Sequence, residues 1–302
     1  KAWVQYQPLG VIGIIAPWNY PLLLSLGPLI CALAAGNHAM IKISSASAHF
    51  GKVLENAMSE AFPQELVAVI NGGGIISDAF CHLPFDKIIF TGSTQVGKTV
   101  MAAASQNLVP VILELGGKSP VLVHPSSDMV DVAQRIAVGK LWNAGQTCVA
   151  PDYMFLPKGK TAEFMEHFEQ FVTEMYPHIR DNQDYTSIIN DKQYRRLQGY
   201  LEDARERGAN IIEINPQSEN VAATRKMAPT VLTNVSPDMQ IMQNEIFGPV
   251  LPILEYEQID DVIEFINSRP RPLALYYFDF DQARADYVAQ RTHSGHFGQN
   301  TV

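Results

Sequence analysis

One cysteine stands in the run Asn143-Ala144-Gly145-Gln146-Thr147-Cys148-Val149-Ala150-Pro151, and thirty-four positions before it stands Glu114-Leu115-Gly116-Gly117-Lys118-Ser119-Pro120. A thiolate attacks carbonyl carbon well, and a carboxylate can activate the water that later releases a bound acyl group. Each side chain sits in a glycine-containing segment, so Cys148 and Glu114 form a candidate pair for covalent catalysis. The pair does not decide the matter alone, because a single cysteine is ordinarily a small buried hydrophobe and a single glutamate is ordinarily solvated. A second chemical signal lies at Ile88-Ile89-Phe90-Thr91-Gly92-Ser93-Thr94-Gln95-Val96-Gly97. It reads as strand, turn and helix, and a helix N-terminus offers unpaired N–H groups and positive dipole to a phosphate. Thr94 stands where the GxGxxG fingerprint has its middle glycine, so on the pattern alone an ordinary strand–helix turn is favoured over phosphate binding.

The elements that must hold these residues alternate. Val11–Ala16, Ala39–Ile43, Val67–Asn71, Lys87–Thr91 and Val111–Leu115 read as strands. Helical spacing appears over Ala48–Phe62, with Val53, Leu54, Ala57, Met58 and Ala61 apolar, and from the Gly92 turn to about Gln106. Apolar strands alternating with helices predict a parallel sheet covered on both faces. After Gly116-Gly117 a second set follows: helices at Asp128–Trp142, Ala162–Met175, Lys192–Arg207, Asp260–Asn267 and Ala283–Gln290, and strands at Val121–Val123, Tyr153–Leu156, Ile211–Ile214, Thr230–Leu232, Val250–Glu255 and Ala274–Phe278. Met129, Val132, Ile136 and Leu141 form the inner side of the first of these helices. The expected fold class is therefore α/β in two domains, residues 1–116 and 117–302, with Glu114 and Cys148 flanking their seam, where ligand sites often lie.

Bulk numbers narrow the function. The 302 residues suffice for two domains, and 47% hydrophobic with 18% charged residues is ordinary for a globular α/β protein. A net charge of −9 without a long basic run argues against nucleic acid or an anionic membrane as main partner. Cys31, Cys81 and Cys148 have no paired spacing, which fits a reducing, cytoplasmic compartment, and no HExxH or CxxC suggests a metal. Cys31 and Cys81 read as structural. From Pro8 to Ile41 there is no Asp, Glu, Lys or Arg, a length that could span a bilayer. Pro17, Pro21 and Pro28 break such a span, so the prediction is a buried strand, a turn and a buried helix from about Leu22 to Ala35.

Five segments carry a resemblance: Pro17-Trp18-Asn19-Tyr20-Pro21, Phe90 to Lys98, Glu114 to Pro120, Gly145 to Tyr153 (GQTCVAPDY), and Asn244-Glu245-Ile246-Phe247-Gly248-Pro249-Val250. In this order they resemble the aldehyde dehydrogenases. Gly145 to Tyr153 resembles the class 3 branch most, with the bacterial coniferyl-aldehyde type as the nearest kind. The resemblance implies a Rossmann-like NAD(P)-binding domain over 1–116, lacking its N-terminal part, and a catalytic thiol domain over 117–302, lacking its C-terminal tail. The parent would be a homodimer acting on a small aldehyde, either aromatic and cinnamyl or medium-chain aliphatic.

Residue by residue, the resemblance implies Cys148 as nucleophile, Glu114 as the base for hydrolysis, and Asn19 with the Cys148 N–H as the oxyanion donors. It places Trp18, Lys42, Ser45, Gly92, Ser93, Gly97, Glu245 and Phe247 around the cofactor: Lys42 at the adenosine ribose, Ser93 near the pyrophosphate, Glu245 and Phe247 at the nicotinamide ribose and ring. Many relatives carry glutamate where this chain has Ser45. A carboxylate there repels a 2′-phosphate and a serine does not, so either NAD or NADP is expected, with NADP accepted at least as well. His296, in Ser294-Gly295-His296-Phe297, stands where the family usually has glycine. Three rival readings stay open at this point: acyl transfer to coenzyme A, a silent binding protein on the same fold, and a thiol hydrolase without cofactor.

Overall fold

The computed structural model describes residues Lys1–Val302 and divides them into two units, Lys1–Leu115 and Gly116–Val302. In the first unit β1 (Val11–Ala16), α1 (Pro21–Ala34), β2 (His38–Ile43), α2 (Ala48–Ala61), β3 (Val67–Ile70), α3 (Gly74–Cys81), β4 (Lys87–Gly92), α4 (Thr94–Ser105) and β5 (Val111–Leu115) follow one another. The five strands form one parallel sheet in the order β3-β2-β1-β4-β5. The order reverses at β1, so β1 and β4 leave a crevice at their carboxyl ends, the place where open α/β sheets take ligands. Val-, Ile- and Ala-rich strands form the interior: Ile12, Ile14, Ile41, Ile43, Val67, Ile88 and Phe90 are all buried.

The charge-free stretch from Pro8 to Ile41 supplies β1, α1 and most of β2, and no helix of the protein is long and apolar enough to cross a membrane. The expectation of a buried α1 needs correction. Ser25, Leu29 and Ala32 are buried, whereas Leu22, Leu23 and Ile30 are 56–68% exposed, and Cys31 is exposed as well. A helix lying on one sheet face buries one stripe only. The inner face of α2 is also rotated from the predicted one. Gly51 and Leu54 face inward while Val53 and Ala57 are exposed. A glycine carries no hydrophobic signal, yet Gly51 is what lets α2 approach: a Cβ there would lie 2.0 Å from Asn71 Oδ1.

The second unit contains β6 (Pro120–Val123), α5 (Met129–Leu141), β7 (Tyr153–Pro157), α6 (Thr161–Met175), α7 (Asp191–Glu206), β8 (Asn210–Glu213), β9 (Thr230–Thr233), α8 (Gln240–Gln243), β10 (Val250–Tyr256), α9 (Ile259–Asn267), β11 (Ala274–Phe278), α10 (Gln282–Arg291) and β12 (His296–Gln299). Its seven strands run in the order β12-β11-β6-β7-β10-β9-β8. All pairs are parallel except β8 with β9. Residues 214–229 join β8 to β9, their one helical element is a three-residue 3₁₀ turn, and β8 closes the sheet edge antiparallel. Met129, Val132, Ile136 and Leu141 are buried as predicted, together with β6, β7 and β11, which are buried at every position.

Candidate active site

In the first unit the motif residues gather at the carboxyl ends of the strands. Trp18 and Asn19 lie half-buried in the turn between β1 and α1. Lys42 is buried near the end of β2. Its ammonium donates to the Ile43 carbonyl at 2.6 Å and to the Gly72 carbonyl at 2.8 Å, and burial lowers its pKa. Both bonds turn the ammonium toward the chain end of the sheet. Ser45 opens an exposed 3₁₀ turn after β2. Ser93 is the N-cap of α4 and accepts from the Val96 N–H at 3.4 Å. Gly92 ends β4, and Ser93 to Val96 are exposed, so the first turn of α4 presents its N–H groups outward. Gly97 faces inward, and a Cβ on it would lie 2.8 Å from Leu115 Cδ2. Glycine is thus required there to seat the helix on β5. This geometry fits a dinucleotide pyrophosphate over the start of α4. Glu114, the penultimate residue of β5, is exposed.

In the second unit the Cys148 loop begins where α5 stops. Asn143 and Ala144 both take left-handed backbone, φ 53° and 51°, and Gly145 follows at φ 72°. Non-glycine residues in this region cost on the order of 1–3 kcal/mol each and persist only where surroundings enforce them. The enforcement is visible. Gln146 is buried, donates to the Asn143 and Ser187 carbonyls at 3.1 Å each, and accepts from the Ile189 N–H at 3.0 Å. A Cβ at Gly145 would lie 2.2 Å from the Gly248 carbonyl oxygen. Cys148 then emerges half-buried. The Tyr276 hydroxyl donates to the Val149 carbonyl at 2.5 Å, and burial, then the neighbouring Cys148, push the Tyr276 pKa up to about 12. His296 is exposed, with its ring 6.5 Å edge-on from Tyr276.

The segment 244–247 lies in the same unit. Glu245 Oε1 accepts from the Gly117 N–H at 3.2 Å, and Gly116 has no room for a Cβ because the Glu245 carboxylate would be 2.2 Å away. Burial, and after it the Asp152 carboxylate, push the Glu245 carboxyl up to about 7. Phe247 is left-handed at φ 50°. Arg196 donates to the Glu245 and Ile246 carbonyls at 3.2 and 2.7 Å.

Beneath both loops lies a buried set of charges that the sequence reading did not single out. Lys118 pairs with Asp152 and donates to the Ile241 and Asn244 carbonyls at 2.8 and 2.9 Å. Asp152 Oδ1 accepts from the Ile246 N–H at 2.8 Å, and the Asp152 N–H donates to the Ser119 carbonyl at 2.8 Å. Lys140, wholly buried on α5, donates to the Pro151 carbonyl at 2.8 Å, and burial pulls its pKa down to about 8 against the opposing pull of Asp152. Signals existed. Lys140 falls four residues after Ile136, on the apolar side of its helix, and Lys118 and Asp152 lie inside two of the five motif segments.

Residues 1–302 match the family model described as "Aldehyde dehydrogenase family". The chain belongs to the aldehyde dehydrogenase family. It is 52% identical over 295 residues to a "Probable coniferyl aldehyde dehydrogenase" of Pseudomonas aeruginosa, covering 98% of this chain and 61% of that one. It is 41% identical over 303 residues to "Aldehyde dehydrogenase family 3 member A2" of Mus musculus, covering 100% and 61% respectively. The class 3 and coniferyl-aldehyde resemblances drawn from the sequence are therefore borne out. The chain spans about three-fifths of the length of these aldehyde dehydrogenases. Among solved structures it matches the "Substrate bound state of Staphylococcus Aureus AldH" with a TM-score of 0.93 at 41% identity, over 98% of this chain and 64% of that one. It also matches a Mycobacterium tuberculosis aldehyde dehydrogenase complexed with NAD+, TM-score 0.88 at 30% identity, over 98% and 62%. These two bear out the α/β fold class.

Proposed function

We propose that this chain carries the coenzyme and thiol machinery of an NAD(P)-dependent enzyme that oxidises an aldehyde to its carboxylic acid. The observation that carries the reading is the Cys148 loop: three consecutive left-handed residues held by buried contacts present a cysteine, within a chain matched end to end by the aldehyde dehydrogenase family. Cys148 adds as thiolate to the aldehyde carbon and forms a thiohemiacetal. A free thiol has a pKa of roughly 8.5, and the thiolate is the form that attacks. The Asn19 amide and the Cys148 N–H stabilise the oxyanion, and loss of one such donor costs about 3–4 kcal/mol in other enzymes. A nicotinamide held at Glu245 and Phe247 would supply the hydride acceptor, and collapse of the oxyanion with loss of that hydride would leave a thioester on Cys148. Glu114 then takes a proton from water, and the resulting hydroxide displaces the thiolate and releases the acid, help worth roughly 10²–10⁴-fold.

The cofactor is assigned to the first unit: pyrophosphate at Gly92, Ser93 and the start of α4, adenosine ribose at Lys42 and Ser45, and the β1 turn with Trp18 alongside. Glu245 and Phe247 serve the nicotinamide ribose and ring. NAD bound in a structural relative supports a nicotinamide cofactor. Ser45 in place of a carboxylate supports acceptance of NADP. Similarity to a probable coniferyl aldehyde dehydrogenase supports a cinnamyl-type aldehyde as substrate. The test is the absorbance of reduced nicotinamide with coniferyl aldehyde, benzaldehyde or a medium-chain aldehyde and either cofactor. A signal abolished by Cys148→Ala is expected. A signal that requires coenzyme A would replace hydrolysis by acyl transfer, and none under any condition would refute the dehydrogenase reading.

A further inference from the structure

We propose that Asp152 is a positioning residue that locks the Cys148 loop to the Glu245–Phe247 loop, so that the carbon held on the thiol and the nicotinamide stay aligned for hydride transfer. The inference rests on the dehydrogenase reading and adds a residue to it. Asp152 is 3% exposed and uses both carboxylate oxygens. Oδ1 takes the Ile246 N–H at 2.8 Å, and Oδ2 takes the Lys118 ammonium. Lys118 in turn holds the Ile241 and Asn244 carbonyls, and Arg196 holds the carbonyls of Glu245 and Ile246. On its other side Asp152 follows Pro151, whose carbonyl is pinned by the buried Lys140, and stands only four residues after Cys148. A second contact ties the same two loops, since Gly145 packs against the Gly248 carbonyl.

A buried carboxylate is costly unless it is paired and hydrogen-bonded, and this one satisfies both demands with groups drawn from the two loops. An apolar filler would hold neither Ile246 nor Asn244 in register. Hydride transfer needs near-attack distances, and a misplacement of about 1 Å can cost on the order of 100-fold. The lock therefore acts on the hydride step, while thiol attack and thioester hydrolysis depend on other groups.

The experiment compares wild type, Asp152→Asn, Asp152→Ala and the pair Asp152→Ala/Lys118→Met, which leaves no buried ammonium without its carboxylate. Three quantities are read: hydrogen exchange of the Ile246 amide without cofactor, kcat, and the primary deuterium isotope effect with aldehyde deuterated at the carbonyl carbon. Asp152→Ala and the pair should expose the Ile246 amide, lower kcat by about 10- to 100-fold and raise the isotope effect above the wild-type value. Asp152→Asn keeps an oxygen for the Ile246 N–H and should recover most of kcat. If the folded pair keeps the wild-type kcat and isotope effect, or loses activity with no change in isotope effect, the lock is refuted while the dehydrogenase stands. A wild-type protein that reduces no cofactor overturns both.

Discussion

Glu245 carries the most perturbed carboxyl of the site, and its titration links stability to pH. Its folded pKa of about 7 lies above the ordinary 4.5 because burial and Asp152 disfavour the charge. The folded state therefore holds more protons than the unfolded chain from about pH 4.5 to 7, and stability falls as pH rises through that window. The cost is fully present above pH 7 and amounts to no more than ~3 kcal/mol. Glu245→Gln should flatten this slope, seen as equal urea midpoints at pH 5 and pH 8; an unchanged slope would assign the titration elsewhere. Glu114→Gln should give a burst of reduced nicotinamide followed by turnover slowed about 10²-fold or more, measured by stopped flow. An unchanged steady state would remove Glu114 from hydrolysis. Ser45→Glu should lower kcat/KM for NADP by about tenfold or more and leave NAD largely unaffected, because one added charge near a 2′-phosphate costs a kcal/mol or more. Cys148 and Glu114 could be singled out in the sequence because their residue types have chemistry of their own, whereas Asn19 came only with the resemblance. Asp152 could not, since its role exists only through the Ile246 amide 94 positions away.

At the scale of elements, the proposed mechanism depends most on the Cys148 loop. Gly145 combines φ 72° with a Gly248 carbonyl 2.2 Å from any added Cβ. Gly145→Ala must therefore strain the backbone and displace the 248 segment. It should lower the melting temperature by several degrees and lower kcat by at least tenfold, checked by calorimetry and steady-state kinetics. Retained activity in that variant would mean that the turn is not needed to present Cys148. Periodicity placed most strands and helices to within a residue or two of where they lie. It failed where burial is not encoded in side-chain hydrophobicity. Gly51 turned the inner face of α2, and α3, which begins directly at Gly74, was not predicted. The short edge strand β12, with Gly298 in its four residues, gave no alternation to read.

At the scale of the whole chain, the two-unit α/β architecture was legible because apolar strands alternate with amphipathic helices from Val11 onward. The ordered motifs named the family, and the end-to-end match agrees. Substrate choice was not legible, since it is set by the shape of a cavity rather than by any run of residues. Aldehyde oxidation through a covalent bond to Cys148 is the central claim. The most direct measurement is mass spectrometry of the Cys148 peptide from Glu114→Gln protein quenched after mixing with coniferyl aldehyde and NAD or NADP. The account predicts an added acyl group on Cys148, formed only when cofactor is present and in proportion to the burst of reduced nicotinamide. Reduced nicotinamide appearing in such a burst with no acyl group on Cys148, or an acyl group formed without cofactor, would contradict it.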